Sequence, residues 1–134
     1  MEFDLVVIGG GAAGFMTAIT AKERGVRKII ILEGTSRILE KVRISGGGRC
    51  NVTNAIWIPA EFIGNYPRGG VKLFESFSRF ASGDVFDWFE NRGVKLKIEA
   101  DNRVFPVSDS SMDIVNCLKS CLLYTSDAAD EERG

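Results

Sequence analysis

The sequence contains no histidine and only three cysteines, and these absences exclude several kinds of chemistry. Without histidine the chain cannot assemble a Ser-His-Asp or Cys-His catalytic group, and it lacks the commonest metal ligand. The cysteines, Cys50, Cys117 and Cys121, are odd in number and contain no CxxC pair. We therefore predict no disulfide framework and no metal site, and reduced thiols favour a cytoplasmic protein.

An excess of charge of either sign is also absent, since 17 basic and 18 acidic side chains give a net charge of −1. Nucleic acids and anionic membranes attract strongly basic surfaces, so neither is predicted as a partner. The uncharged run over residues 5–21 is interrupted by three glycines and preceded by Glu2 and Asp4, which argues against a signal peptide or a membrane span. A chain of 134 residues, 45% apolar, is typical of one small globular domain.

What is present at the N-terminus is the pattern of a βαβ unit. Residues 3–8 and 28–33 each contain four consecutive apolar side chains, typical of parallel strands covered on both faces. A helix over about residues 12–24 is predicted between them, with Gly25 as its stop. The fold class is therefore α/β, the βαβ start of a Rossmann-like FAD/NAD(P)-binding fold. It is incomplete, because one such unit leaves sheet edges unpaired and apolar faces uncovered.

The rest of the chain has weaker patterns. A short helix is predicted within residues 35–44, and apolar residues at helical spacing predict two helices within residues 70–93, the second with Ser82 as its N-cap. Alternation of apolar and charged residues over 94–98 predicts a half-buried strand. Capping residues at 108–111 predict the start of a last helix.

Residues 9–14, GGGAAG, satisfy G-x-G-x-x-G between the predicted strand and helix. Gly9 permits a tight turn, Gly11 leaves room for a pyrophosphate, and Gly14 lets the helix pack on the strand. Glu33 lies 19 positions past Gly14, where a carboxylate would accept hydrogen bonds from ribose and repel the 2′-phosphate of NADP. This motif does not separate FAD from NAD. The alternative is a glycine-rich turn that only packs a helix on a sheet.

Residues 45–51, SGGGRCN, form a second glycine-rich motif. Backbone amides beside Arg49 suit an anionic or polar ligand edge, whereas the alternative is a flexible surface loop. The same surroundings could lower the pKa of Cys50 and produce a redox thiol. Because Cys50 has no resolving CxxC partner, we favour a small residue packed under the loop.

Three segments, VVIGGGAAG, ILEGTSRILEKVRISGGGRCNVTN and NRVFPVSDSS, resemble the BaiN/YhiN-type flavoproteins over about residues 3–120. These are bacterial NAD(P)/FAD-dependent oxidoreductases, also described as aminoacetone-oxidase-like FAD-binding enzymes. The resemblance implies bound FAD, NAD(P)H as an electron donor, and hydride transfer through the flavin in the full-length enzyme. It implies a first set of cofactor-binding residues for the ADP half, Gly9, Gly11, Ala12, Ala13, Gly14 and Glu33. A second set lies toward the flavin: Lys41, Ser45, Gly46, Gly47, Arg49, Cys50 and Asn51.

The catalytic residues and the small-molecule substrate are unknown at this stage. Residues 121–131, CLLYTSDAADE, depart from the family pattern and are similar to the translation of a transposase sequencing adapter. We therefore expect residues 1–120 to be the N-terminal portion of an FAD-binding domain and residues 121–134 to be a non-native tail; a genuine acidic tail is the alternative. Family members are longer, so this fragment is expected to be inactive alone. The alternatives are a non-catalytic module that binds FAD or NAD and an inactive truncated chain.

Overall fold

The first sheet of the protein confirms the predicted βαβ unit. A computed structural model describes residues 2–123. Strands β1 (Leu5–Ile8) and β2 (Ile29–Leu32) pair in parallel, with Leu5 opposite Ile29. Helix α1 (Ala12–Glu23) connects them. Gly25 follows the helix with φ +99°, a conformation that suits glycine at a helix C-terminus.

Within the described residues this sheet is covered on one face only, as expected of an incomplete βαβ unit. On the face toward α1, Val7 and Ile29 are buried. On the other face Val6 and Leu32 are each 47% exposed and Ile8 is 79% exposed. Successive side chains of a strand point to opposite faces, so a helix on one side buries only alternate residues. No element within residues 2–123 covers the second face.

The second sheet is antiparallel and holds the C-terminal half together. It contains β3 (Thr53–Asn54), β4 (Leu96–Ile98) and β5 (Arg103–Pro106), in the order β3-β5-β4. The strand predicted at 94–98 is thus confirmed as β4, two residues shorter at its start. Neighbouring residues Val104 and Phe105 on β5 are both 0% exposed, so this central strand is covered on both of its faces.

Within residues 2–123, five further α-helices follow α1. The helices predicted within 35–44, within 70–93 and after the capping residues are present; α3 was not predicted. Their bounds are α2 (Glu40–Ile44), α3 (Pro59–Phe62), α4 (Gly70–Arg79), α5 (Ser82–Glu90) and α6 (Ser111–Leu123).

The prediction that Ser82 caps α5 is wrong. Ala81 occupies the N-cap position, and its N–H donates to the Asp84 carboxylate at 2.7 Å. Ser82 is buried instead, and its hydroxyl donates to the carbonyl of Ile56. The Asp84 carboxylate satisfies the N-cap N–H, which is one half of a capping box, while the Ser82 hydroxyl fixes the preceding loop.

The main core lies around α6 and brings the two glycine motifs onto one scaffold. Helix α6 packs against both α1 and α2, and its Ile114 and Leu118 are buried beside Phe15 of α1 and Leu39 at the start of α2. Residues 121–123 continue α6. Residues 124–134 of the predicted tail lie outside the described residues, and the boundary at residue 120 stays a prediction. No helix within residues 2–123 is long and apolar enough to span a membrane.

Candidate dinucleotide-binding site

The first glycine motif forms the turn between β1 and α1. Gly9 has φ +103°, which L side chains rarely adopt, and its N–H donates to the Leu32 carbonyl at 2.7 Å. At Gly14 a Cβ would lie 2.0 Å from the Gly9 carbonyl oxygen, so the helix approaches the turn this closely only with glycine. Gly11 has an ordinary φ of −92°, and a Cβ there would meet nothing within 4 Å. Ala12 and Ala13, the first residues of α1, are exposed.

The peptide of Gly10 is held from both sides. Its N–H donates to Glu33 Oε1 at 2.8 Å, and its carbonyl accepts from the Leu39 N–H at 2.7 Å. Glu33 Oε2 accepts from the N–H and the hydroxyl of Thr35. The hydrogen bond from Gly10, followed by those from Thr35, lowers the pKa of Glu33, which is ionised at neutral pH.

Sequence reasoning missed Leu39. This residue adopts φ +55° and is only 1% exposed. Left-handed backbone is unusual for a residue with a Cβ and a branched side chain, so nothing in the residue type marks the position. Only the tertiary contact between the Leu39 N–H and the first glycine turn identifies it.

The second glycine motif is a tight 3-10 turn with a defined conformation. Gly46, Gly47 and Gly48 have φ +58°, +67° and +92° in succession. A Cβ at Gly46 would lie 2.8 Å from the Asn51 backbone nitrogen and 3.1 Å from the Phe105 ring. Both the dihedral angles and the space therefore require glycine at Gly46.

Arg49 does not face the same way as the rest of this motif. Its Nη1 lies 2.8 Å from Glu99 Oε2 and 3.1 Å from Asp109 Oδ1. Its Cζ lies 3.7 Å from the centre of the Phe105 ring. These three partners were not predicted. The only signal for them was that Phe105 and Asp109 fall inside the segment NRVFPVSDSS.

Cys50 lies beneath the glycine turn. It is 6% exposed and belongs to the main core. Burial raises the pKa of its thiol, so the thiol is protonated at neutral pH. This arrangement favours the packing interpretation of Cys50 over the redox one.

We expect Cys50 to resist alkylation in the folded protein. Because the thiolate is the nucleophile and the side chain is covered, labelling by iodoacetamide at neutral pH should be at least about tenfold slower than in urea. Mass spectrometry of the Cys50 peptide measures both rates. Equal rates in native and unfolded protein would instead support an accessible redox thiol.

One cavity brings residues of both glycine motifs together. It has a volume of about 340 Å3. Five of the predicted residues line it: Ala12, Lys41, Ser45, Cys50 and Asn51. Its other walls, which sequence reasoning missed, are apolar: Met16, Val42, Val52, Phe80, Val85, Trp88, Phe89, Ile114 and Leu118.

The remaining predicted residues are not on the wall of this cavity. They lie in the two turns, in the first turn of α1, just after β2 or, in the case of Arg49, against the β4–β5 hairpin: Gly9, Gly11, Ala13, Gly14, Glu33, Gly46, Gly47 and Arg49. A larger groove of about 780 Å3, between residues 92–95 and α6, contains none of the predicted residues.

Residues 3–126 match the HI0933-like protein Rossmann domain. The chain belongs to this family. Membership confirms the resemblance to BaiN/YhiN-type proteins and the Rossmann-like α/β class. The parallel β1–β2 pair is the part of that fold which residues 2–123 contain.

Curated relatives of this HI0933-like domain include redox enzymes. The chain is 29% identical to the ribosomal RNA dihydrouridine synthase of Escherichia coli strain K12, over 87% of this chain and 28% of that protein. It is 29% identical to the 3-dehydro-bile acid delta(4,6)-reductase of Clostridium scindens, over 84% of this chain and 27% of that protein. It is 35% identical to the 3-oxosteroid 1-dehydrogenase of Mycolicibacterium smegmatis, over 53% of this chain and 11% of that protein. The chain therefore spans little more than a quarter of the length of the first two relatives.

Proposed function

We propose that this HI0933-like Rossmann domain binds FAD and serves an oxidoreductase. One observation carries the proposal: two glycine motifs, separated by 31 positions between Gly14 and Ser45, meet at one cavity. If the first motif only packed α1 on the sheet, nothing would require it to lie at the same cavity as a second strained glycine turn. The N-terminus of α1 suits the pyrophosphate, and the apolar walls beyond it suit a flat aromatic ring.

The residues at the first turn fit the ADP half of the cofactor. Open space at Gly11 lets a pyrophosphate approach the backbone N–H groups at the start of α1, where the helix dipole favours an anion. An ionised carboxylate accepts about four hydrogen bonds. Glu33 accepts from Gly10 on Oε1 and from Thr35 on Oε2, and Oε1 would also accept from a ribose hydroxyl.

The second set of residues would hold the flavin side of the cofactor. Lys41 places a positive charge on the cavity wall, and Ser45 and Asn51 provide polar groups there. Apolar walls exclude water from the cavity. When bound, FAD supplies a ring that accepts or releases a hydride, and NAD(P)H is the proposed electron donor.

Gly11→Ala tests the proposed cofactor site. The added methyl group meets nothing in the protein but occupies the space assigned to the pyrophosphate. We expect the Kd for FAD to rise at least about tenfold, with little change in the melting temperature. Equilibrium dialysis followed by flavin absorbance measures Kd, and circular dichroism measures melting.

Gly34→Ala is the matched control for this experiment. A Cβ at Gly34 also meets nothing within 4 Å, and its φ is ordinary. It should leave both Kd and melting temperature unchanged. Unchanged FAD affinity in Gly11→Ala would show that the motif is only a turn.

Anaerobic addition of NADH or NADPH tests the proposed oxidoreductase role. We expect the visible flavin absorbance of the purified, FAD-loaded full-length enzyme to bleach, whereas residues 1–134 alone are expected to be inactive. Bound FAD that neither donor bleaches would support the non-catalytic binding module instead. The cytoplasmic location that reduced thiols favour stays a prediction.

We propose a small-molecule substrate, since a net charge of −1 gives no general attraction for a phosphate backbone. Ribosomal RNA is the second candidate, because a relative is named as a ribosomal RNA dihydrouridine synthase. Filter binding of a ribosomal RNA fragment distinguishes the two. Retention that weakens steeply between low and physiological salt would contradict the small-molecule proposal.

A further inference from the structure

We propose that Arg49 is a positioning residue: it anchors the glycine turn of residues 45–48 to the β4–β5 hairpin and does not bind the cofactor itself. The inference rests on the proposed function for the consequence at the FAD site. Its structural half, the anchoring of the turn, rests on contacts within this chain alone.

The glycine turn of residues 45–48 requires stabilising contacts. Three successive glycines with positive φ are followed, after Arg49, by Cys50, which also has positive φ at +59°. Such backbone is costly for a residue with a Cβ, and glycines lose the most conformational entropy when they are ordered. The hydrogen bonds within the segment include Arg49 N–H to the Gly46 carbonyl at 3.3 Å and Cys50 N–H to the Ser45 carbonyl at 3.0 Å. Contacts from elsewhere in the fold add to the stability of this conformation.

The Arg49 side chain contributes such contacts. Its guanidinium lies across the Phe105 ring and donates to Glu99 and Asp109. The same Phe105 ring approaches Gly46 so closely that a Cβ there would be 3.1 Å away. Phe105 thus contacts the turn at its start and its end.

The carboxylates that Arg49 contacts, those of Glu99 and Asp109, are themselves held in place. Lys97 Nζ lies 2.8 Å from Asp109 Oδ1, and Arg103 Nη2 lies 3.7 Å from Glu99 Oε1. Arg49 lowers the pKa of Glu99, and Lys97 and then Arg49 lower that of Asp109, so both carboxylates are charged at neutral pH. Arg49 donates to these groups and does not line the cavity. It therefore affects the site by holding the turn in place.

The experiment compares Arg49→Ala, Glu99→Gln and the double variant with a control, Arg79→Ala. Arg79 of α4 also donates to a carboxylate, with its Nη2 2.9 Å from Glu75 Oε1, but it does not line the cavity. Hydrogen–deuterium exchange of residues 45–51 without FAD reports the order of the turn. Kd for FAD, from fluorescence titration, reports the consequence at the site.

We expect Arg49→Ala to accelerate exchange in residues 45–51 and to raise the Kd about tenfold, the scale set by losing hydrogen bonds to charged groups. Glu99→Gln should change both in the same direction, and the double variant should match Arg49→Ala within about twofold, since the two residues act as a unit. Arg79→Ala should change neither. Rescue by Arg49→Lys should be partial, because lysine lacks the planar fork.

Two results would overturn the proposal. One is unchanged exchange in Arg49→Ala. The other is tighter FAD binding in Glu99→Gln together with weaker binding in Arg49→Ala, which would mean that a released guanidinium contacts FAD directly. Failure of the wild-type protein to bind FAD would reject the proposed function, whereas the exchange measurement still decides whether Arg49 anchors the turn.

Discussion

Gly14→Ala is expected to disrupt the βαβ unit itself. The new Cβ would lie 2.0 Å from the Gly9 carbonyl oxygen and 3.3 Å from Val7. The first contact is with backbone, which cannot rotate away, so α1 must move off β1. We expect a loss of stability of about 3 kcal/mol or more, at or beyond the upper end of ordinary overpacking, together with loss of FAD binding. Thermal unfolding followed by circular dichroism measures the first effect.

Gly64→Ala and Gly11→Ala serve as controls for this prediction. Neither Cβ would meet anything within 4 Å, and neither φ is positive. Both variants should melt close to the wild-type temperature, and only Gly11→Ala should lose FAD affinity. A Gly14→Ala protein that melted like the wild type would show that α1 does not pack on the turn as closely as described.

Phe105→Ala is the second large effect we expect. The ring is 0% exposed, and it contacts both Gly46 and the Arg49 guanidinium. Removing a buried phenylalanine side chain costs about 3–5 kcal/mol, a large part of the 5–15 kcal/mol that is typical of a folded domain. The melting temperature should fall by roughly 10 °C or more, and exchange in residues 45–51 should rise.

Phe74→Ala is the matched control, because Phe74 of α4 is 43% exposed and does not line the cavity. Its replacement should change stability by less than about 1 kcal/mol. Equal destabilisation by the two substitutions would mean that the β5 strand is not the covered centre of the second sheet.

The sequence by itself determined the βαβ unit and the positions of the two glycine motifs. Four-residue apolar runs on either side of a glycine turn leave few other local structures, and Gly9 and Gly14 are required by local geometry that the motif encodes directly. The same apolar runs are typical of strands covered on both faces, but within residues 2–123 only one face is covered. An apolar run indicates that both faces of a strand favour burial, but it does not identify the element that covers each face.

The tertiary structure alone decided what the individual side chains do. Arg49 looked like a cation beside a ligand, yet it points to Glu99 and Asp109, 50 and 60 positions away along the chain. Likewise, six of the nine apolar residues on the cavity wall come from α1, α5 and α6, which no motif connects. The physical reason is that a motif fixes backbone within a few residues, whereas side-chain partners depend on how distant elements pack. The glycines of this protein could be interpreted from spacing, and its arginine could be interpreted only from contacts.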